Sequence, residues 1–221
     1  MGWFGKNANL LLPGAGSWFV LGCVVTTAAL PVAAAPVADG CGTCVRCIDA
    51  CPTQAIIAPG VIDARRCLAW VLQKPGIIPR EMRVEIGDRL YGCDDCQTSC
   101  PPTTRLGHRF VAPPSPEVPQ AWVRVLPLLT GDDDALLATW GKWYLADRDP
   151  RWVRRNALVV LGNVGDGANA EVRAVLADYL ATDDPMLRAH AVWAARQLGA
   201  LDLMPTTDSH PDVLAEIEAP R

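Results

Sequence analysis

From Ala121 onward, apolar residues recur three and four positions apart. The stripes are Leu136, Leu137, Trp140 and Tyr144; Val153, Ala157, Val160, Leu161 and Val164; Val172, Val175, Leu176, Tyr179 and Leu180; and Leu187, Ala191, Ala194, Ala195 and Leu198. This spacing puts the apolar residues of each run on one face of a helix. Asp/Gly and Asp/Pro breaks separate the runs, so the pattern predicts several short helices rather than one long one. Two of them share more than a binary pattern. Val153-Arg154-Arg-Asn-Ala157-Leu158 returns as Leu187-Arg188-Ala-His-Ala191-Val192, 34 residues later and with another helix between. That is the period of a helix-pair repeat of the solenoid kind.

The first forty residues follow a different pattern. Residues 8–38 carry no charge, and Ser17 to Leu30 is an apolar run leading to Ala33-Ala-Ala35. An apolar run before small residues resembles a secretory leader, and Val20-Leu-Gly-Cys23 resembles a lipidation site. Pro13, Gly14 and Gly16 interrupt the stretch, and Ser17–Leu30 is too short to cross a bilayer as a helix. The competing expectation is a buried strand or short helix of an α/β domain, with Cys23 a small buried apolar residue. Pro31–Asp39 and the Pro-rich stretch Pro101–Pro119 read as linkers on either side of a central block.

Half of the 221 residues are hydrophobic and a fifth are charged, which excludes a disordered or collagen-like chain. The net charge of −4 gives no global attraction to phosphate, so nucleic-acid binding would need a local basic patch. The nine cysteines change the picture most, because eight of them fall between Cys41 and Cys100.

Cys41-Gly-Thr-Cys44-Val-Arg-Cys47-Ile-Asp-Ala-Cys51-Pro52 is an unbroken Cys-x2-Cys-x2-Cys-x3-Cys-Pro run. Three thiolates at three-residue steps wrap three corners of an iron–sulfur cube, and the fourth ligates a different cube. Two cubes need eight thiolates, and Cys67 with Cys93-Asp-Asp-Cys96-Gln-Thr-Ser-Cys100-Pro101 supplies the other four. The ferredoxin rule assigns Cys41, Cys44, Cys47 and Cys100 to one 4Fe-4S cluster and Cys51, Cys67, Cys93 and Cys96 to the other. Zinc favours separated pairs, often with histidine. Disulfides call for a small secreted scaffold and sit poorly with an odd cysteine count. Oxygen-labile cubes are assembled in the cytosol, so a cytoplasmic chain is expected, with no membrane partner and no cleaved leader.

Gly2-Trp-Phe-Gly-Lys-Asn7, Ala15-Gly-Ser-Trp-Phe19, the cysteine run through Ile56, Asp63-Ala-Arg-Arg-Cys67 and Ile86-Gly-x-Arg-x-Tyr-Gly-Cys93-Asp-Asp-Cys96-Gln97 together resemble epoxyqueuosine reductase. The resemblance implies an oxidoreductase in which two 4Fe-4S clusters and cobalamin reduce epoxyqueuosine to queuosine in the anticodon loop of tRNA. An electron donor such as flavodoxin or ferredoxin would feed the clusters. It also implies an α+β chain in three parts: residues 1–38 as the end of a corrinoid-binding α/β domain, 39–112 as a ferredoxin-like two-cluster domain, and 120–221 as a HEAT-like helical domain. Carried over to matching positions, it places Lys6, Leu11, Gly22, Ala64, Tyr91, Asp94 and Asp95 near the corrin. Arg46, Arg65, Arg66, Lys74, Arg148, Arg151, Arg154 and Arg155 are candidates for tRNA phosphates.

The chain departs from the family pattern in two ways. Met1 stands where relatives are well into the corrinoid domain, so a proton-donor Asp is expected upstream, or on another chain that supplies the rest. Cys23 also occupies a usually acidic position. Without that remainder, the expectation is a chain inactive by itself, with Leu10–Leu30 partly exposed. An electron-transfer subunit and a solenoid binding protein with structural clusters are the alternatives from other classes.

Overall fold

The computed structural model describes residues 2–32, 35–106 and 122–220. In chain order the elements are β1 (Trp3–Phe4), β2 (Leu10–Leu11), α1 (Arg46–Asp49), β3 (Ile56–Ala58), β4 (Val61–Ile62), α2 (Leu68–Gln73), α3 (Arg80–Ile86), α4 (Asp95–Thr98), α5 (Pro101–Leu106), α6 (Val125–Thr130), α7 (Asp133–Trp140), α8 (Arg151–Val164), α9 (Ala170–Leu180), α10 (Pro185–Gln197) and α11 (Pro211–Glu218). The chain divides into two compact units. One combines Met1–Cys67 with Asp94–Pro114, and the other Leu68–Cys93 with Ser115–Arg221.

The first unit has two small antiparallel ribbons. β1 pairs with β2, Trp3 opposite Leu11, and β3 pairs with β4, Ile56 opposite Ile62. Residues 2–17 are knitted into the cysteine-bearing unit. Asn7 Nδ2 donates to the Cys96 carbonyl at 3.0 Å, Ser17 Oγ donates to Gln97 Oε1 at 2.9 Å, and the Gly60 N–H donates to the Lys6 carbonyl at 2.9 Å. Gly16 permits the closest of these approaches. Its φ is +71°, and a Cβ there would sit 2.6 Å from the Thr103 Cα of α5.

The strand or short helix expected across Ser17–Leu30 does not form, and the run is irregular and largely exposed. Pro13, Gly14 and Gly16 break its start, and among the described residues no strand pairs with it. Cys23 is exposed, contrary to the expectation of a buried residue. The expected linker after Cys100 opens as helix α5, and its remaining part, together with Ala33 and Pro119, lies outside the described residues.

The second unit is helical and holds one large apolar core. Ala157 through Leu161, five consecutive residues of α8, are all buried, because α2, α3, α6 and α10 surround that helix. The Asp and Asn residues at the expected breaks cap the helices. Asp132 accepts from the Ala135 N–H, Asn169 from Glu171 and Val172, and Asp184, one residue before Pro185 starts α10, from Leu187. Each such cap contributes about 1 kcal/mol. The two similar segments form α8 and α10, and their matching arginines play related roles. Arg154 binds the Leu129 and Gly131 carbonyls and Asp133; Arg188 binds the Thr182 carbonyl and Asp208.

His190, which pairs with Asn156 in that alignment, is fully buried. Its Nε2 accepts from the Ile78 N–H at 3.2 Å, and Nδ1 donates to the Met186 carbonyl at 2.7 Å. Burial, with the nearby Arg83 charge, holds its pKa well below the usual 6.5. Protonation therefore favours the unfolded chain. The stability due to neutral His190 is present above pH 6.5 and is lost as pH falls below it, by at most about 1.4 kcal/mol per pH unit. Urea denaturation of the chain between pH 7 and pH 5.5, followed by tryptophan fluorescence, should show this slope. A His190→Gln chain should lack most of it, and equal slopes would exclude the role.

Candidate iron-sulfur centre

The first cysteine loop is shaped by hydrogen bonds to its backbone. Asp39 Oδ1 accepts from the Cys41 N–H at 2.9 Å and Oδ2 from the Gly42 N–H at 3.3 Å, and these donors lower its pKa. The Cys44 N–H closes a turn onto the Cys41 carbonyl, Gly42 has φ of +50°, and Cys47 follows on α1. Lys6 crosses over this loop. Its ammonium donates to the Gly42 carbonyl at 2.7 Å and the Cys44 carbonyl at 3.0 Å.

Cys100 comes from a distant part of the chain, at the turn between α4 and α5, where it is buried. Cys41, Cys44, Cys47 and Cys100 line one cavity of about 260 Å³, together with Trp3, Lys6, Asn7, Leu11 and Arg105. Burial raises the Cys47 thiol pKa, and Cys100, Cys41 and Cys44 raise it further. Four thiolates gathered this way repel one another until a cationic centre neutralises them. No group of three or more His, Cys, Asp and Glu among the described residues is arranged to hold a single metal ion. A cube has a different requirement, because each thiolate binds its own iron and the corners are spread around a volume. A ring of thiols about a cavity therefore suits an iron–sulfur cube.

The second set is supported separately. The Ala55 N–H donates to Cys51 Sγ at 3.1 Å, and Thr53 Oγ1 donates to the Arg66 carbonyl at 2.6 Å, just before Cys67. Asp63 caps the short 3-10 turn Ala64–Arg66 that carries the chain into Cys67. Cys51, Cys67 and Cys96, the last on α4, are half-buried within the first unit. Cys93 is the last residue of the stretch assigned to the helical unit, three positions before Cys96. None of the nine cysteines is in a disulfide.

The residues associated with the corrin belong to both units, Tyr91 to the helical one and the others to the cysteine-bearing one. Lys6 and Leu11 lie on the thiol-lined cavity, with Leu11 fully buried and Lys6 bonded to the cysteine loop. Gly22 has open space where a Cβ would stand, and Ala64 and Asp94 are exposed. Asp94 accepts from Gln97 Nε2, and Asp95 begins α4. Tyr91 belongs to the helical unit, where it stacks on Trp143 with ring centroids 4.8 Å apart and exchanges hydrogen bonds with the Tyr144 backbone.

The arginine expectations divide by burial. Arg155 is wholly buried, and its guanidinium binds the carbonyls of Leu72, Lys74 and Gly76 and the side chain of Asn156. It is not available to a phosphate, which corrects the sequence expectation. Arg154 is mostly buried and committed to Asp133 and loop carbonyls. Arg151 is half-exposed but paired with Asp149 and Asp184, and Arg148 binds the Gly141 carbonyl. Arg65 pairs with Asp63, while Arg46 and Arg66 are exposed on the cysteine-bearing unit. Sequence reasoning missed Trp3, Asp39 and Arg105. Only Asp39, two residues ahead of the first cysteine and followed by glycine, offered a recognisable turn signal.

Residues 40–103 match a family described as a 4Fe-4S double cluster binding domain. The epoxyqueuosine reductase of Xanthomonas campestris is 41% identical over 202 residues, 90% of this chain and 56% of its own length. The Escherichia coli protein of the same name is 36% identical over 199 residues, 89% of this chain and 51% of its own. Among solved structures, the epoxyqueuosine reductase from Streptococcus thermophilus aligns with a TM-score of 0.83 at 30% identity, covering 99% of this chain and 59% of that one. An epoxyqueuosine reductase with an epoxyqueuosine-modified tRNA stem loop aligns at 0.78 and 29% identity, covering 98% and 59%. The chain spans about half the length of the curated relatives it matches.

Proposed function

From its kinship with the epoxyqueuosine reductases, which it matches over about half their length, we propose that this chain is the iron–sulfur and helical portion of an enzyme that reduces epoxyqueuosine to queuosine in tRNA. The observation that carries the reading is the cavity on which Cys41, Cys44, Cys47 and Cys100 converge, set in a stretch that matches a double-cluster family. These four would hold one cube, and Cys51, Cys67, Cys93 and Cys96 the other. Reduction of an epoxide takes two electrons, and a cube passes them singly, so a pair of cubes can hold both at once.

In this reading residues 1–38 form the edge of a corrinoid domain, and the helices after residue 120 form a HEAT-like array that meets the tRNA anticodon loop. Cobalamin, when bound, supplies the low-valent cobalt that acts on the strained ring. The residues present here contribute Lys6 and Leu11 at that edge and electron delivery through the cysteine-bearing unit. Exposed Val20, Leu21, Val24 and Val25 suit a surface covered by the part of the relatives' length that this chain does not span. Among the described residues no helix is long and apolar enough to cross a membrane.

The test is queuosine formation in tRNA digests after anaerobic reconstitution with iron, sulfide, cobalamin and a low-potential reductant. The 221-residue polypeptide alone should give no product. Product should appear when the remaining portion of a relative is supplied as a separate chain. Robust product from the 221 residues alone would show that corrin site and proton donor both lie within them. No product from the pair, with both clusters intact, would favour an electron-transfer subunit.

A further inference from the structure

The thiol-lined cavity has a one-sided electrostatic lining. Lys6 and Arg105 both reach it, and among the described residues no carboxylate lines it. The nearby Asp39 feels the Lys6 charge, but its oxygens are spent on the Cys41 and Gly42 N–H groups. Lys6 is fixed on the loop itself by its bonds to the Gly42 and Cys44 carbonyls. Its charge is therefore held beside the thiols.

Trp3 supplies a second and independent observation. Its ring lies against Gly40, where a Cβ would meet the indole carbons at 2.7 and 2.8 Å, so the absence of a side chain there makes room for it. The indole lines the same cavity, yet its Nε1–H is buried with no hydrogen-bond partner among the described residues. A buried donor left unpaired is destabilising, so the site favours an acceptor placed against it. The acceptors that this donor set would bring to the cavity are the sulfurs of a cube. The surface beside Cys51 has one N–H donor of its own, Ala55 onto Cys51 Sγ, but it differs in charge, because Asp49 and Arg66 balance there.

We propose that Trp3 and Lys6 set the reduction potential of the cube held by Cys41, Cys44, Cys47 and Cys100 above that of its neighbour, so that an electron given to the pair settles there first. This rests on the two-cube reading. A cube bound by four thiolates is anionic, and taking up one electron from a one-electron reductant adds a further negative charge without breaking a bond. A fixed cation and an N–H donor stabilise the more negative state and raise the potential. Losing either should lower the reduction equilibrium of that cube about tenfold, which is 59 mV for one electron.

The experiment is an anaerobic redox titration of the full chain with dithionite and mediators, read by electron paramagnetic resonance, with iron counted on each sample. Wild type should show two waves, and Cys67→Ala should retain only the higher. Lys6→Gln and Trp3→Phe should each move the higher wave down and leave the lower in place, and Lys6→Arg should restore it. Full iron with both waves unmoved, or movement of the lower wave, would overturn the proposal. If Lys6→Gln sheds iron, Trp3→Phe, whose ring keeps its seat on Gly40, decides alone. Iron loss from both variants would make them loop supports and overturn it too. Fewer than about eight irons in wild type would instead refute the two-cube reading on which the proposal stands.

Discussion

Anaerobically prepared Cys100→Ala chain should hold about four irons where the unaltered chain holds about eight, because a cube deprived of one thiolate does not persist. Cys100 is the one ligand of its set that comes from outside the Cys41–Cys47 loop. It is fixed by the turn between α4 and α5, where its carbonyl accepts from the Thr103 and Thr104 N–H groups. The backbone around it is tied to residues 2–17 through Ser17 and Thr103, so the thiol can be removed without loosening the turn. Cys67→Ala should lose the other four irons, leaving the cavity cube intact. Cys23→Ala should lose none, since that side chain is exposed in an irregular segment. Paired iron and acid-labile sulfide assays check all three variants. Equal iron loss in Cys23→Ala and Cys100→Ala would refute the ligand set.

Arg155→Ala is expected to be the most destabilising single change in the helical unit, by about 3–5 kcal/mol. The guanidinium is completely buried at the end of α2, where the chain leaves carbonyls without helical partners. It satisfies those of Leu72, Lys74 and Gly76, and it lies over the Trp152 ring at 5.5 Å. Burial pulls its pKa down to about 10, so it stays charged at neutral pH and is balanced by carbonyl dipoles at a helix C-terminus. Alanine would take the guanidinium donor from the Lys74 and Gly76 carbonyls, leaving Leu72 only Asn156, and open a cavity beside Asn156. Lysine would not replace the fork of donors. Arg151→Ala, by contrast, breaks half-exposed pairs and should change stability by no more than about 1 kcal/mol. Urea unfolding of the three variants distinguishes them, and similar midpoints for Arg151→Ala and Arg155→Ala would show that the buried network contributes little.

The arginines show where a sequence stops being informative. Arg151, Arg154 and Arg155 sit within five residues and read as one basic patch, yet one is half-exposed and paired, one is mostly buried and one is wholly buried. Their separation follows from helix α8 being enclosed on several sides, so that even its charged positions meet neighbours. The run Ser17–Leu30 failed in the other direction. Its composition suits a buried element, but among the described residues it pairs with no strand and remains irregular. The helices from α7 to α10 were legible because their apolar stripes and their Asp and Asn caps are both local signals.

The sequence by itself determined the chemistry of the cysteine block, because cube ligation needs thiolates at fixed short spacings and those spacings are covalent. It also determined where the principal helices lie, since a 3.6-residue period and a capping side chain act within a turn or two. The grouping of Cys100 with Cys41, Cys44 and Cys47 was readable from the ferredoxin spacing, but tertiary structure alone decided that these four line one cavity whose wall Trp3, Lys6 and Arg105 also reach. It also decided that Arg155 closes the end of α2 instead of facing solvent. Those outcomes depend on segments tens of residues apart meeting in space, and the burial, charge and hydrogen-bonding they create belong to no single stretch of chain.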